Sequence, residues 1–112
     1  MTDRFKQISE WVAKAADAFM AQNSDSILMG LIDKQLREQG LQADAISIEI
    51  VKRNIKILIL VPDDINHSIE GLVGNKEGDE YSSFKEPFDA LSEERFLDIL
   101  NFQLSPQRAY SN

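Results

Sequence analysis

At 112 residues, with no cysteine and a formal net charge of −7, the chain reads as one soluble domain large enough to hold a core without covalent staples. The absence of cysteine excludes a disulfide framework, a thiol nucleophile and any thiolate metal site. Residues 1–60 carry eight basic and eight acidic groups, whereas residues 61–112 carry four and eleven, so the whole charge excess lies in the second half. Such a field disfavours nucleic acid and steers basic partners; its plainer use is solubility.

In chain order, Phe5, Ile8, Val12, Ala15 and Phe19 recur at helical spacing and predict an amphipathic helix over 3–22, capped by Thr2 or Asp3. Trp11 broadens the stripe and reads as the flank of a core. Ser24 is a fresh N-cap, and Ile27, Leu28, Leu31, Ile32 and Leu36 give a second stripe that Gly40 would end. These two segments predict an N-terminal αα-hairpin. Asp3, Arg4, Lys6 and Glu10 interrupt the first stretch, so it does not read as a secretory leader. A cytoplasmic protein that makes no use of a membrane is the expectation.

The strongest strand signal lies at about 45–61. Ile46, Ile48 and Ile50 alternate with Ser47, Glu49 and Val51; Arg53-Asn54 reads as a two-residue turn; then Ile55, Ile57, Ile59 and Val61 return. That turn would set Ile50 against Ile57 and Ile48 against Ile59. The opposite face of the second strand carries Leu58 and Leu60, which need cover, so the second strand reads as central and the first as an edge. A two-stranded ribbon is marginal in water. Either the short segment Tyr81 to Phe84 adds a strand, or dimerisation completes the sheet.

Beyond Pro62, the residues Ile65, Ile69, Leu72 and Val73 predict a helix closed by Gly74, with Gly71 a weakness inside it. Asn75 to Glu80 is a polar loop. Pro87 opens a helical turn, Ser92 caps a further helix through Leu104, and residues 105–112 read as a frayed tail after a domain spanning 1–104. The fold class is therefore α+β, with the αα-hairpin, the central antiparallel β-hairpin, and helical segments packing on the sheet.

Chemistry is sparse. Asp63, Asp64, Asn66, His67 and Glu70 form the densest polar cluster, just past a strand end. On a helix His67 would lie near Asp63 and Glu70, yet one histidine without cysteine falls short of a usual zinc set, and a helix cap explains the same residues. The spacing Asp64-x-Asn66-x-Ser68-x-Glu70 starts like a calcium loop but fails at Ile69 and Asn75, where glycine and glutamate are required. No nucleophile-elbow serine motif and no phosphate-cradling glycine loop occurs. Lys52, Arg53 and Lys56 make a small basic tip, too little for nucleic acid on an acidic chain.

In size and charge the chain resembles small acidic proteins that bind a larger one, such as immunity proteins or secretion chaperones; no motif carries that likeness. The function expected is a non-enzymatic protein-binding module without a cofactor or metal, partnered by a basic protein and by its own copy as a homodimer. Asp63, Asp64, Glu77, Asp79 and Glu80 would steer the partner, affinity would rest on buried apolar anchors, and His67, Glu70, Leu58 and Leu60 complete the expected binding residues. The alternative is a small enzyme or ligand-binding domain using the 63–70 cluster.

Overall fold

The computed structural model describes residues 2–64 and 66–104. The tail expected at 105–112 lies outside the described residues, as does Ile65. The chain runs α1 (Asp3–Gln22), β1 (Leu28–Asp33), α2 (Gln35–Glu38), β2 (Ala43–Ile50), β3 (Lys56–Pro62), β4 (Ile69–Gly74), β5 (Glu80–Glu86), a 3₁₀ turn (Phe88–Ala90) and α3 (Glu93–Gln103). The fold is α+β: one antiparallel sheet of five strands in the order β1-β2-β3-β4-β5, with α1 and α3 packed together on one face. No helix among the described residues is long and apolar enough to cross a membrane.

Helix α1 forms where its period predicts. The Thr2 hydroxyl accepts the Phe5 N–H at 3.1 Å, and Phe5, Ile8, Val12, Ala15 and Phe19 are all buried. Ser92 caps α3 by accepting the Arg95 N–H at 3.0 Å, and Phe96, Ile99 and Leu100 turn inward. Both helices rest on rows of the sheet that pair across strands. One row is Gly30, Ile48, Ile57 and Val73; the next is Ile32, Ile46, Ile59, Gly71 and Phe84. The Phe84 ring lies over Gly71, where an added Cβ would sit 2.1 Å from it, so this glycine is a packing partner rather than a weakness.

Three expectations about secondary structure and register are corrected. The N-terminal αα-hairpin does not form: residues 28–33 are strand β1, and only Gln35–Glu38 is helical, although Gly40 does follow that short helix with φ +92°. The apolar spacing from Ile27 to Ile32 suits either period, and Gly30 weakens a helix; pairing with β2 supplies backbone hydrogen bonds along the whole segment. The helix expected from 65 to 74 is likewise replaced by β4, whose Ile69, Gly71 and Val73 face the core while Glu70 and Leu72 face out. Finally, the β2–β3 register differs by two residues from the one expected. Ile48 pairs with Ile57 and Ile46 with Ile59, and residues 51–54 all belong to the turn. A two-residue turn of the expected type needs φ > 0, and neither Arg53 nor Asn54 adopts it. A shift of two preserves which face each side chain occupies, so the inward isoleucines remain inward.

The strands sought from dimerisation come from the chain itself. Tyr81 to Phe84 lies in β5, and β2, expected at the edge, is flanked by β1 and β3. Pro62 ends β3 without loss. Its missing N–H falls on the β4 side, where the last pair is Leu60 with Glu70, while the β2 side continues to an Asp63 N–H bond to the Gln42 carbonyl at 2.9 Å.

Candidate functional site

Because both long helices lie on one face, the other face of the sheet carries no long helix among the described residues. Its middle row runs Leu31, Ser47, Leu58, Leu72 and Ser83 across all five strands. The row on one side runs Met29, Glu49 and Lys56; on the other it runs Asp33, Ala45, Leu60, Glu70 and Lys85. Apolar side chains thus form a stripe with charged residues of both signs at its borders. Leu58, Leu60 and Leu72 are half-buried by in-plane neighbours, and Ala45 and Ser47 are buried between them.

At the end of this face where the β3–β4 connection lies, the stripe deepens into a cleft of about 670 Å³. Leu60 and Pro62 form its apolar floor, Leu36 and Leu41 one wall, and His67 and Glu70 the other. The first wall is held by an arginine clamp. Arg37 on α2 donates through Nε and one terminal nitrogen to Asp44 at 3.0 and 2.8 Å, and through both terminal nitrogens to Asp63 at 3.0 and 2.7 Å. Asp44 is only 2% exposed, so the guanidinium satisfies a carboxylate that would otherwise be buried alone. The clamp ties a helix of four residues to the start of β2 and the end of β3.

Hydrogen bonding from Arg37 holds the Asp63 carboxyl below the usual carboxylate range, and bonding to Asp44 and then Asp63 raises the already basic Arg37. With the folded Asp63 more acidic than the unfolded one, the unfolded chain binds more protons in acid. The stabilisation is therefore complete above the unfolded pKa, about 4, and disappears as pH falls through the lower folded value. In thermal melts the midpoint should drop across this acid window, and Asp63→Asn should lower the neutral midpoint while flattening the drop. Parallel pH profiles for the two proteins would remove the clamp from the stability of this region.

The structure divides the residues singled out in the sequence. Leu60, His67 and Glu70 share the cleft, and Leu58 lies one row away on the same face. Asp63 is engaged by Arg37. Asp64 organises the turn: its carboxylate accepts the Asn66 N–H at 2.9 Å, its carbonyl accepts the His67 N–H at 3.1 Å, and its Oδ2 stands 3.7 Å from the His67 Nδ1. Glu77, Asp79 and Glu80 lie around the β4–β5 turn, at the far end of β4, so the acidic residues do not form one patch. There Asn75 donates to the Asp79 carboxylate at 3.0 Å and Lys76 N–H donates to the Asn54 side chain at 3.0 Å. The helical geometry that would have placed His67 between Asp63 and Glu70 is absent. Among the described residues no group of three or more histidine, aspartate or glutamate side chains is arranged to hold a metal. In the basic tip, Arg53 donates to the Leu104 carbonyl at 3.1 Å and so closes the C-terminus of α3.

Sequence reading missed Arg37 with Asp44, and the outward residues of β1 and β4. The alternation Ile69-Glu70-Gly71-Leu72-Val73 was the available signal for β4; no local signal joins residues 37, 44 and 63. No protein-family model matches the chain, and neither a curated protein nor a solved structure is significantly similar to it.

Proposed function

We propose that the chain is a non-enzymatic protein-binding module whose docking surface is the sheet face without a long helix. The observation that carries this reading is the stripe of Leu31, Leu58, Leu60 and Leu72, interrupted only by the small, buried Ser47 and bordered by Glu49, Lys56, Glu70 and Lys85. Extended apolar patches with polar rims mark interaction sites. The partner is a protein segment that lays apolar side chains along the stripe and anchors one of them in the cleft between Leu36 and His67. Asp64, Glu70, Glu77, Asp79 and Glu80 add a negative field that favours a basic partner over nucleic acid. A cytoplasmic location is part of this reading.

The test compares capture from native lysate by the wild type and by a Leu58→Lys, Leu72→Lys variant. Proteins bound by the wild type alone, associating more slowly as salt rises, support the reading. Identical captured sets, or association indifferent to salt, overturn it. The cleft volume favours a second reading, a small-molecule site using His67 and Glu70. A ligand held there must raise the melting midpoint of the wild type, and no shift across a panel of metabolites and divalent ions removes this second reading.

A further inference from the structure

Strand β1 is an edge of the sheet, and among the described residues it lacks the devices that usually protect one. Its central residues carry no charge, proline or bulge, and Met29, Leu31 and Ile32 are 48%, 63% and 47% exposed. From Ser26 to Ile32 the sequence contains no charged residue, although the chain as a whole carries −7.

The ladder determines which backbone groups are free. The Val51 N–H donates to the Ile27 carbonyl at 2.9 Å, so the odd residues of β1 bond to β2 and the even ones point outward. Consistent with this, the Leu28 N–H turns away from β2 and donates to the Met20 sulfur at 3.4 Å. Gly30 and Ile32 therefore present N–H and C=O groups at the open edge. Beside them, between α1 and β1, runs a groove of about 500 Å³ lined by Val12, Ala13, Ala16, Leu28 and Gly30. A Cβ at Gly30 would meet only the Ser47 carbonyl at 3.8 Å, so this position is a gap in the groove floor.

We propose that β1 pairs antiparallel with β1 of a second copy, with Leu31 on the two-fold axis. Gly30 then faces Ile32 of the other copy, and the even residues exchange hydrogen bonds in both directions. Each exposed Ile32 enters the gap above the opposing Gly30. The two Leu31 side chains meet as a non-hydrogen-bonded pair, the closest kind of cross-strand contact. The Leu28 bond to Met20 is retained. Like charges do not meet across the pairing, because Asp33 falls opposite Met29, and Lys34 opposite Leu28, of the other copy. A second copy satisfies the edge in a way that is self-complementary by symmetry. The proposal shares Leu31 with the stripe but uses neither Leu58, Leu60 nor Leu72, so the Leu58→Lys, Leu72→Lys variant leaves this pairing in place.

Sedimentation of the wild type at about 100 µM should give twice the chain mass, and salt should tighten the dimer by screening two acidic bodies. That response is opposite to the one expected for a basic partner. Leu31→Lys and Leu31→Glu should each be monomeric with unchanged far-UV spectra, and an equimolar mixture should restore the dimer, because the axis sets position 31 against itself. Leu31→Cys, in a chain without other thiols, should cross-link across the axis in air far faster than Met29→Cys. A monomeric wild type overturns the proposal, including the case in which another protein's strand occupies β1. So does a mixture that stays monomeric, or cross-linking at Met29→Cys as fast as at Leu31→Cys.

Discussion

Truncating Ile57 to alanine is expected to cost about 3 to 4 kcal/mol of folding stability, whereas the same truncation at the adjacent Leu58 costs about 1 kcal/mol. The two residues share a strand and differ in face. Ile57 is fully buried between Ile48 and Val73 on the side covered by α1 and α3, so removing its methyl groups leaves a void enclosed by the core. Leu58 lies on the other face between Ser47 and Leu72, half-buried by in-plane neighbours. Water can refill the space that its truncation leaves. Urea unfolding of both variants at a shared slope measures the difference. Equal losses would mean that the outer face is enclosed as thoroughly as the inner one, and the docking surface would disappear with that result. Leu58→Ala should also weaken partner binding, an effect that Ile57→Ala lacks once stability is restored by temperature.

Gly74→Ala is expected to cost about 3 kcal/mol, the upper range for forced overpacking. A Cβ at this position would sit 1.9 Å from the Asp79 carbonyl oxygen and 2.9 Å from its carbon. That carbonyl is backbone and accepts the Asn75 N–H at 3.0 Å, so neither partner can rotate away. The register of β4 against β5 shifts between Val73 and Gly74, which brings the two chains close at this point. Gly78→Ala in the same turn should cost only about 1 kcal/mol: its φ of +105° disfavours a side chain, but nothing lies within 4 Å of the added carbon. Denaturant titration of both variants separates the effects. A Gly74→Ala protein as stable as the wild type would show that the β4–β5 hairpin opens at little cost.

Elements with a long, single period were legible before the structure. α1 and α3 bury the residues that their spacing marks, and Thr2 and Ser92 cap them. The alternation at Ile46, Ile48, Ile50 and at Ile57, Ile59, Val61 identifies the inner face even though the register is two residues away from the one expected. The candidate site was legible in part. Leu58 and Leu60 stood out because their face needed cover, and His67 and Glu70 because polar groups cluster past a strand end. Asp63 stood out for the same reason, yet its partner is an arginine 26 positions earlier, a distance that no local pattern reports.

By itself the sequence determined the inner and outer faces of β2 and β3, the two long helices and the acidic second half, because each follows from local periodicity or simple charge. Tertiary structure decided the fate of residues 28–33 and 69–74. Both are six-residue segments whose apolar spacing or short length suits more than one conformation. Strand becomes the better choice only when a neighbouring strand offers unpaired N–H and C=O groups. The same long-range pairing places Leu31, Leu58 and Leu72 side by side, which is why the surface proposed to bind a partner emerges only once all five strands are assembled.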